Sequence, residues 1–235
     1  MMTKDGRPSR INDLRYFFGP EEHSGYLTGC EEAVAYGRRM AMFLNGEGFS
    51  MGPYPALYLL LNPSMDPGEV VVTDYGGDWW QRYTHVAVPA DLPGLSNATE
   101  IVMDATVAAL RAIRPDLDVV VKAADRVVRE HGKSLRFLMR TQTTKRYLIE
   151  KSFSIGVWER VLRPQLAQHP SYIFTSLTDL STGEFLDGPA QPHPFDHYSA
   201  FMFNKPVRVS EIEARLSSFV SRERPPTSKL VKPRG

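Results

Sequence analysis

The chain has 235 residues, 42% of them hydrophobic, with 12 Phe, 10 Tyr and 3 Trp. That is enough apolar side chain for a buried core and excludes global disorder. A lone cysteine, Cys30, excludes an internal disulfide and a multi-cysteine zinc centre.

Net charge is only +1, but it is segregated. Residues 11–110 carry 4 basic and 13 acidic side chains, residues 111–163 carry 13 and 6, and residues 164–221 carry 3 and 6. Beyond residue 221 five basic side chains face only Glu223. Such blocks predict an acidic and a basic surface on one body, which steer encounter with charged partners. Residues 1–10 are polar and lack the apolar stretch of a secretory signal. The longest apolar run, 56–61, is too short to span a bilayer. The expectation is a cytoplasmic protein that does not enter membranes.

In chain order, the first predicted helix opens at Thr28, with Glu31 three positions on as a capping-box partner. Cys30 falls near this helix start, where a thiolate would be stabilised, or else it is a small buried filler. Ala33, Val34, Gly37, Met40, Ala41 and Leu44 follow helical spacing up to Asn45-Gly46. The continuous apolar run 56–61 predicts a strand buried on both faces. Turns at Pro67-Gly68 and Gly76-Gly77 separate it from strands at 70–73 and 80–88, which predicts an antiparallel meander. Asn97 with Glu100 opens a second helix carrying Val102, Ala105 and Ala109, which Arg114-Pro115 ends. A third helix, 117–131, has Val120, Val121, Ala124, Val127 and Val128 on one side and stops at Gly132.

Residues 135–141 and 145–155 read as a hairpin. A weaker helix at 157–168 is interrupted by Pro164. Strands at 172–178 and 184–186 flank Ser181-Thr182-Gly183, a last strand covers 198–203, and Ser210 with Glu213 opens a final helix. Strands come in groups rather than alternating with helices. The fold class is therefore α+β, mostly antiparallel sheet with about five helices packed on it. Residues 1–10 are expected to be flexible, 11–220 to form one domain, and 221–235 to be a disordered basic tail.

Three sets of residues could carry function. Asp74, Asp78, Trp79, Trp80 and His85 combine carboxylates, glycines and indoles, and Trp is a favoured interface anchor. Adjacent Trp79 and Trp80 on a strand must face opposite ways. His193, Asp196 and His197, in a segment stiffened by Pro189, Pro192 and Pro194, offer metal-ligand or acid–base chemistry. Their spacing matches no helical metal motif, so the competing reading is an irregular polar loop. Lys122, Arg126, Arg136, Arg140, Lys145 and Arg146 form a basic block suited to phosphates. Self-pairing along the 117–131 helix and the scarcity of aromatics weigh against nucleic acid.

No phosphate-cradling, nucleophile-elbow or zinc motif occurs. The leading expectation is a protein-binding module without a cofactor. Its acidic, aromatic N-terminal half would meet a basic partner, as an immunity or antitoxin-type protein masks a toxin. The alternatives are a metal-assisted hydrolase using the 193–197 cluster and a nucleic-acid binder using the basic block 122–146. Oligomeric state is not legible in the sequence.

Overall fold

The computed structural model describes residues 8–21, 25, 27–74, 80–157, 169–195, 210, 212 and 214–229. The elements begin with β1 (Asp13–Phe18), α1 (Glu31–Gly46), β2 (Ala56–Asn62), β3 (Val70–Val72), β4 (Gln81–Ala87), α2 (Ala98–Ile113) and α3 (Asp118–His131). They continue with β5 (Arg136–Thr143), β6 (Tyr147–Ile155), β7 (His169–Asp179), β8 (Phe185–Asp187), β9 (Gln191–Phe195), β10 (Val220–Ser221) and β11 (Thr227–Lys229).

Two sheets and three α-helices among the described residues keep the fold in the α+β class, with three corrections. Three α-helices rather than five are complete among the described residues; the expected helix at 157–168 lies almost wholly outside them and the strand at 198–203 entirely outside, and of the final helix only Ser210 and Ile212, both helical, are described. The first sheet, ordered β1-β2-β4-β3, is mainly parallel: β1 and β4 flank β2 in parallel, and only β3 runs antiparallel, to β4. The expected meander fails because β4 inserts between β2 and β3, and β1, unannounced in sequence, adds a parallel neighbour on the other side of β2. A strand–helix–strand unit returns the chain parallel to its start. The second sheet, ordered β10-β8-β7-β6-β5-β11, is antiparallel from β5 to β8, as the hairpin spacing predicts, but β11 joins β5 in parallel. β9 pairs the first half of β7.

β2 is buried at all seven positions, which explains its unbroken apolar run. One core cluster takes Leu14, Leu57 and Leu59 from the first sheet, Met40, Leu110 and Val128 from the helices, and Phe137 and Phe153 from the second sheet. Helix α1 packs on β1 and also touches β6 and β11. Lying between the sheets, it is buried nearly all round rather than along one stripe. Two arginines are therefore enclosed in it. Arg38 Nη1 lies 2.7 Å from Asp13 Oδ1. Arg39 donates Nε to the Ile155 carbonyl at 3.0 Å and Nη1 to Glu32 at 2.5 Å, tying α1 to β6.

Helices α2 and α3 follow their predicted faces, and Gly132, with φ +48°, ends α3. The side-chain caps do not form. Asn97 is the N-cap residue of α2 without a side-chain cap bond, and Glu100 bonds Arg129 instead, at 2.5 Å. Cys30 caps α1 by position only, and Glu31 Oε1 accepts from the Gly29 N–H.

The segment expected to be a disordered tail is docked over 220–229. Arg222 N–H donates to the Phe185 carbonyl, and the Pro226 carbonyl accepts from Arg136 N–H. Arg224 bonds Glu150 and donates to Thr178 Oγ1 at 2.8 Å. Its guanidinium lies 4.8 Å from the Phe185 ring centre. The anchors are polar and cationic, so the poverty of apolar residues that suggested disorder was the wrong signal. Residues 230–235 lie outside the described set.

Candidate functional site

Two places gather polar chemistry. The first is the face of the second sheet opposite its core side. The pairings Arg136↔Ser154, Ser152↔Phe174 and Glu150↔Ser176 set these side chains on one face, and Ser176↔Asp187 extends it to β8. Arg136 reaches from β5 to β8 and grips Asp187 through two bonds, Nη1–Oδ1 at 2.8 Å and Nη2–Oδ2 at 2.7 Å. Ser176 Oγ donates to Asp187 Oδ1 at 2.9 Å, and the guanidinium stacks 3.6 Å from the Phe174 ring centre.

Burial pushes the Asp187 carboxyl up, but Arg136 and Ser176 outweigh it and hold it below the usual carboxylate range. That makes Asp187 a poor general base for Ser176. Arg224, Pro225 and Thr227 line the cleft over these residues, and its free volume is about 10 Å³. That is room for one water, far below a small-molecule pocket. This is an internal ionic lock closed by the C-terminal strands. The sequence points Arg136 toward phosphate and singles out neither Glu150 nor Arg224. Charge alternation on a strand could have marked Glu150, but nothing in sequence pairs Arg136 with a residue 51 positions away.

The second place is the β3–β4 end of the first sheet, where the candidate binding residues fall. Asp74 is exposed and bonds Arg82 Nη2 at 3.2 Å, and its carbonyl accepts from Tyr54 Oη at 2.8 Å. Arg82 Nε donates to the Thr73 carbonyl at 2.8 Å and thereby holds the end of β3. Trp80 is half-buried and meets Tyr58 edge-on, 5.7 Å between ring centres. It belongs to a cluster with Phe17, Leu60 and Tyr83 rather than to an exposed anchor. His85 pairs with Val71 across β3–β4, and burial lowers its pKa. Asp78 and Trp79 lie outside the described residues.

The structure scatters the basic block. Lys122 bonds Asp118 at 2.7 Å, Arg136 is buried on Asp187, and Arg146 Nε lies 3.2 Å from Asp179. A register shift between Leu138 and Arg140 breaks the alternation that would have kept Arg136 and Arg140 on one side of β5. Arg126 lies on α3 and Lys145 in the turn between β5 and β6.

The segment read as an irregular loop forms strand β9, in which His193 pairs with Ser171. Pro192 and Pro194 are tolerated there because β9 pairs on one side only among the described strands. The side chain of His193, and all of Asp196 and His197, lie outside the described residues. Among the described residues no three His, Cys, Asp or Glu side chains converge as a metal site would require. Cys30 is buried, and burial pushes its thiol up, with Glu31 adding to the rise. It is the filler, not an activated thiolate. No helix among the described residues is long and apolar enough to cross a membrane. No protein family, characterised protein or solved structure matches this chain.

Proposed function

We propose that the protein is a protein-binding module that takes a basic partner on the acidic β3–β4 end of its first sheet, in the manner of an immunity-type protein masking a toxin. One observation carries the reading. No Lys or Arg occurs between Arg39 and Arg82, while Asp66, Glu69 and Asp74 stand exposed around β3. Asp91, beyond β4, is exposed as well. Within residues 40–91 Arg82 is the only Lys or Arg, and it is engaged with Asp74. A one-signed patch of this kind raises the encounter rate with a cation-bearing surface and repels polyanions.

The test is paired capture from an extract of the native cell. One column carries the protein and the other its Asp66→Lys/Glu69→Lys/Asp91→Lys variant. The expected result is a basic protein retained only by the first column and released as salt rises toward about 1 M, where the Debye length falls to about 3 Å. Identical retention on both columns, or retention indifferent to salt, refutes the reading.

A further inference from the structure

Strand β3 is the last strand of the first sheet and pairs only with β4 among the described residues. Its register is Val70↔Val86, Val71↔His85 and Val72↔Thr84. The Glu69 carbonyl accepts from Ala87 N–H at 3.0 Å, and Thr73 N–H donates to the Tyr83 carbonyl at 3.3 Å. In an antiparallel ladder this phase turns the peptide groups of 69, 71 and 73 toward β4, and those of Val70 and Val72 outward. The Val70 and Val72 side chains pack against the main core, which holds the strand in place. Val71, on the other face, is 42% exposed.

Edge strands are ordinarily blunted by brevity, a lysine, a proline or a bulge. β3 is short, three residues, but carries no lysine, proline or bulge. Its flanks carry the carboxylates Asp66, Glu69 and Asp74, the last paired with Arg82. Charge decides between the possible occupants. A second copy of the same edge would set carboxylates against carboxylates, which opposes pairing. A strand bearing lysine or arginine would gain both the backbone bonds and the charge match.

We infer that the outer edge of β3 is a strand-addition site for an extended basic segment, of about four to six residues given a rise of about 3.3 Å per residue. The inference rests on the binding reading above and specifies how the partner docks. Main-chain bonds at Val70 and Val72 provide the register, Val71 offers an apolar contact, and the flanking carboxylates select cations.

The probe is a synthetic peptide of alternating lysine and valine, six residues long, with its glutamate–valine counterpart as control, each titrated into the full chain and followed by amide hydrogen exchange. The lysine peptide is expected to slow exchange at Val70 and Val72 and to leave Val71, already bonded to β4, unchanged. The glutamate peptide is expected to do neither. Val72→Pro removes an outward N–H while sparing the bonds to β4. It should weaken the lysine peptide by roughly tenfold, the value of one to two backbone hydrogen bonds. Should that variant fold poorly, a lysine peptide N-methylated at alternate residues, tested on the unaltered chain, removes the same bonds. If Asp66→Lys/Glu69→Lys abolishes binding and neither backbone change weakens it, the acidic surface stands and the strand-addition site is overturned. If none of these changes weakens binding, both readings fall.

Discussion

Replacing Asp187 with Ala should be among the most damaging single changes in the second sheet. The carboxylate is 4% exposed at its side chain, and the Arg136 guanidinium it holds is 10% exposed. Removing it strands a buried cation and leaves the Ser176 hydroxyl without its acceptor. Breaking a buried pair in this way costs about 3–5 kcal/mol. The lower end applies here, because the cleft admits about one water and Phe174 still stacks on the guanidinium. At about 2–4 °C per kcal/mol for a chain of this size, 3 kcal/mol lowers the thermal midpoint by roughly 6–12 °C. Urea unfolding at neutral pH reads the same loss as a lower midpoint at unchanged slope. The double variant Arg136→Met/Asp187→Leu removes both charges and should recover most of the loss, since apolar replacements of buried pairs are often neutral. A cost below about 1 kcal/mol for Asp187→Ala, or a double variant as unstable as the sum of its singles, would refute the claim that this pair is an ionic lock.

Acid should act on the same region. The Asp187 carboxyl is depressed by Arg136 and Ser176 against the effect of burial, and the Ser181 hydroxyl and N–H, with Arg146, bring Asp179 down to about 2. Their contribution is present above the unfolded carboxylate value of about 3.9 and is lost as pH falls from there toward 2. A flat thermal midpoint across that window would contradict it. Gly46→Ala ordinarily helps a helix, but a Cβ there would meet the Lys229 carbonyl at 2.0 Å. The variant should undock β11, and amide exchange at 227–229 should rise while α1 stays protected. Gly37→Ala would bring a Cβ to 2.1 Å from Tyr16 Oη, whose hydroxyl is bound to Thr106 at 2.7 Å. A loss of about 1–3 kcal/mol in urea unfolding is expected from overpacking. Asn97→Ala should cost less than about 0.5 kcal/mol, below the range for a bonded cap, because the Asn97 side chain makes no cap bond. A loss above 1 kcal/mol would mean that the cap forms in solution.

What the sequence determined by itself was local. The faces of α2 and α3, the stop at Gly132, the β5–β6 hairpin and the two-sided burial of β2 follow from spacing, because neighbours a few residues apart decide them. Its acidic block leaves exposed carboxylates at the β3–β4 end, where Trp80 is half-buried against Tyr58. Tertiary structure decided the rest. β11, three residues long, is too short to show a period, β1 shows no clean alternation, and where the expected strand at β3 pairs depends on which edge is free. Nothing in sequence singles out Arg38 or Arg39 as buried, and Arg136 reads there as part of a phosphate-facing basic block. They are buried because Asp13, Glu32 and Asp187, 25, 7 and 51 positions away, are brought within hydrogen-bond reach. The same holds for Arg224, whose carboxylate partner Glu150 is 74 positions distant and turned an expected loose tail into a docked strand. Pairs on one helix, such as Asp118–Lys122, show in the linear spacing, whereas pairs between separate segments form by three-dimensional proximity, of which linear spacing carries no trace.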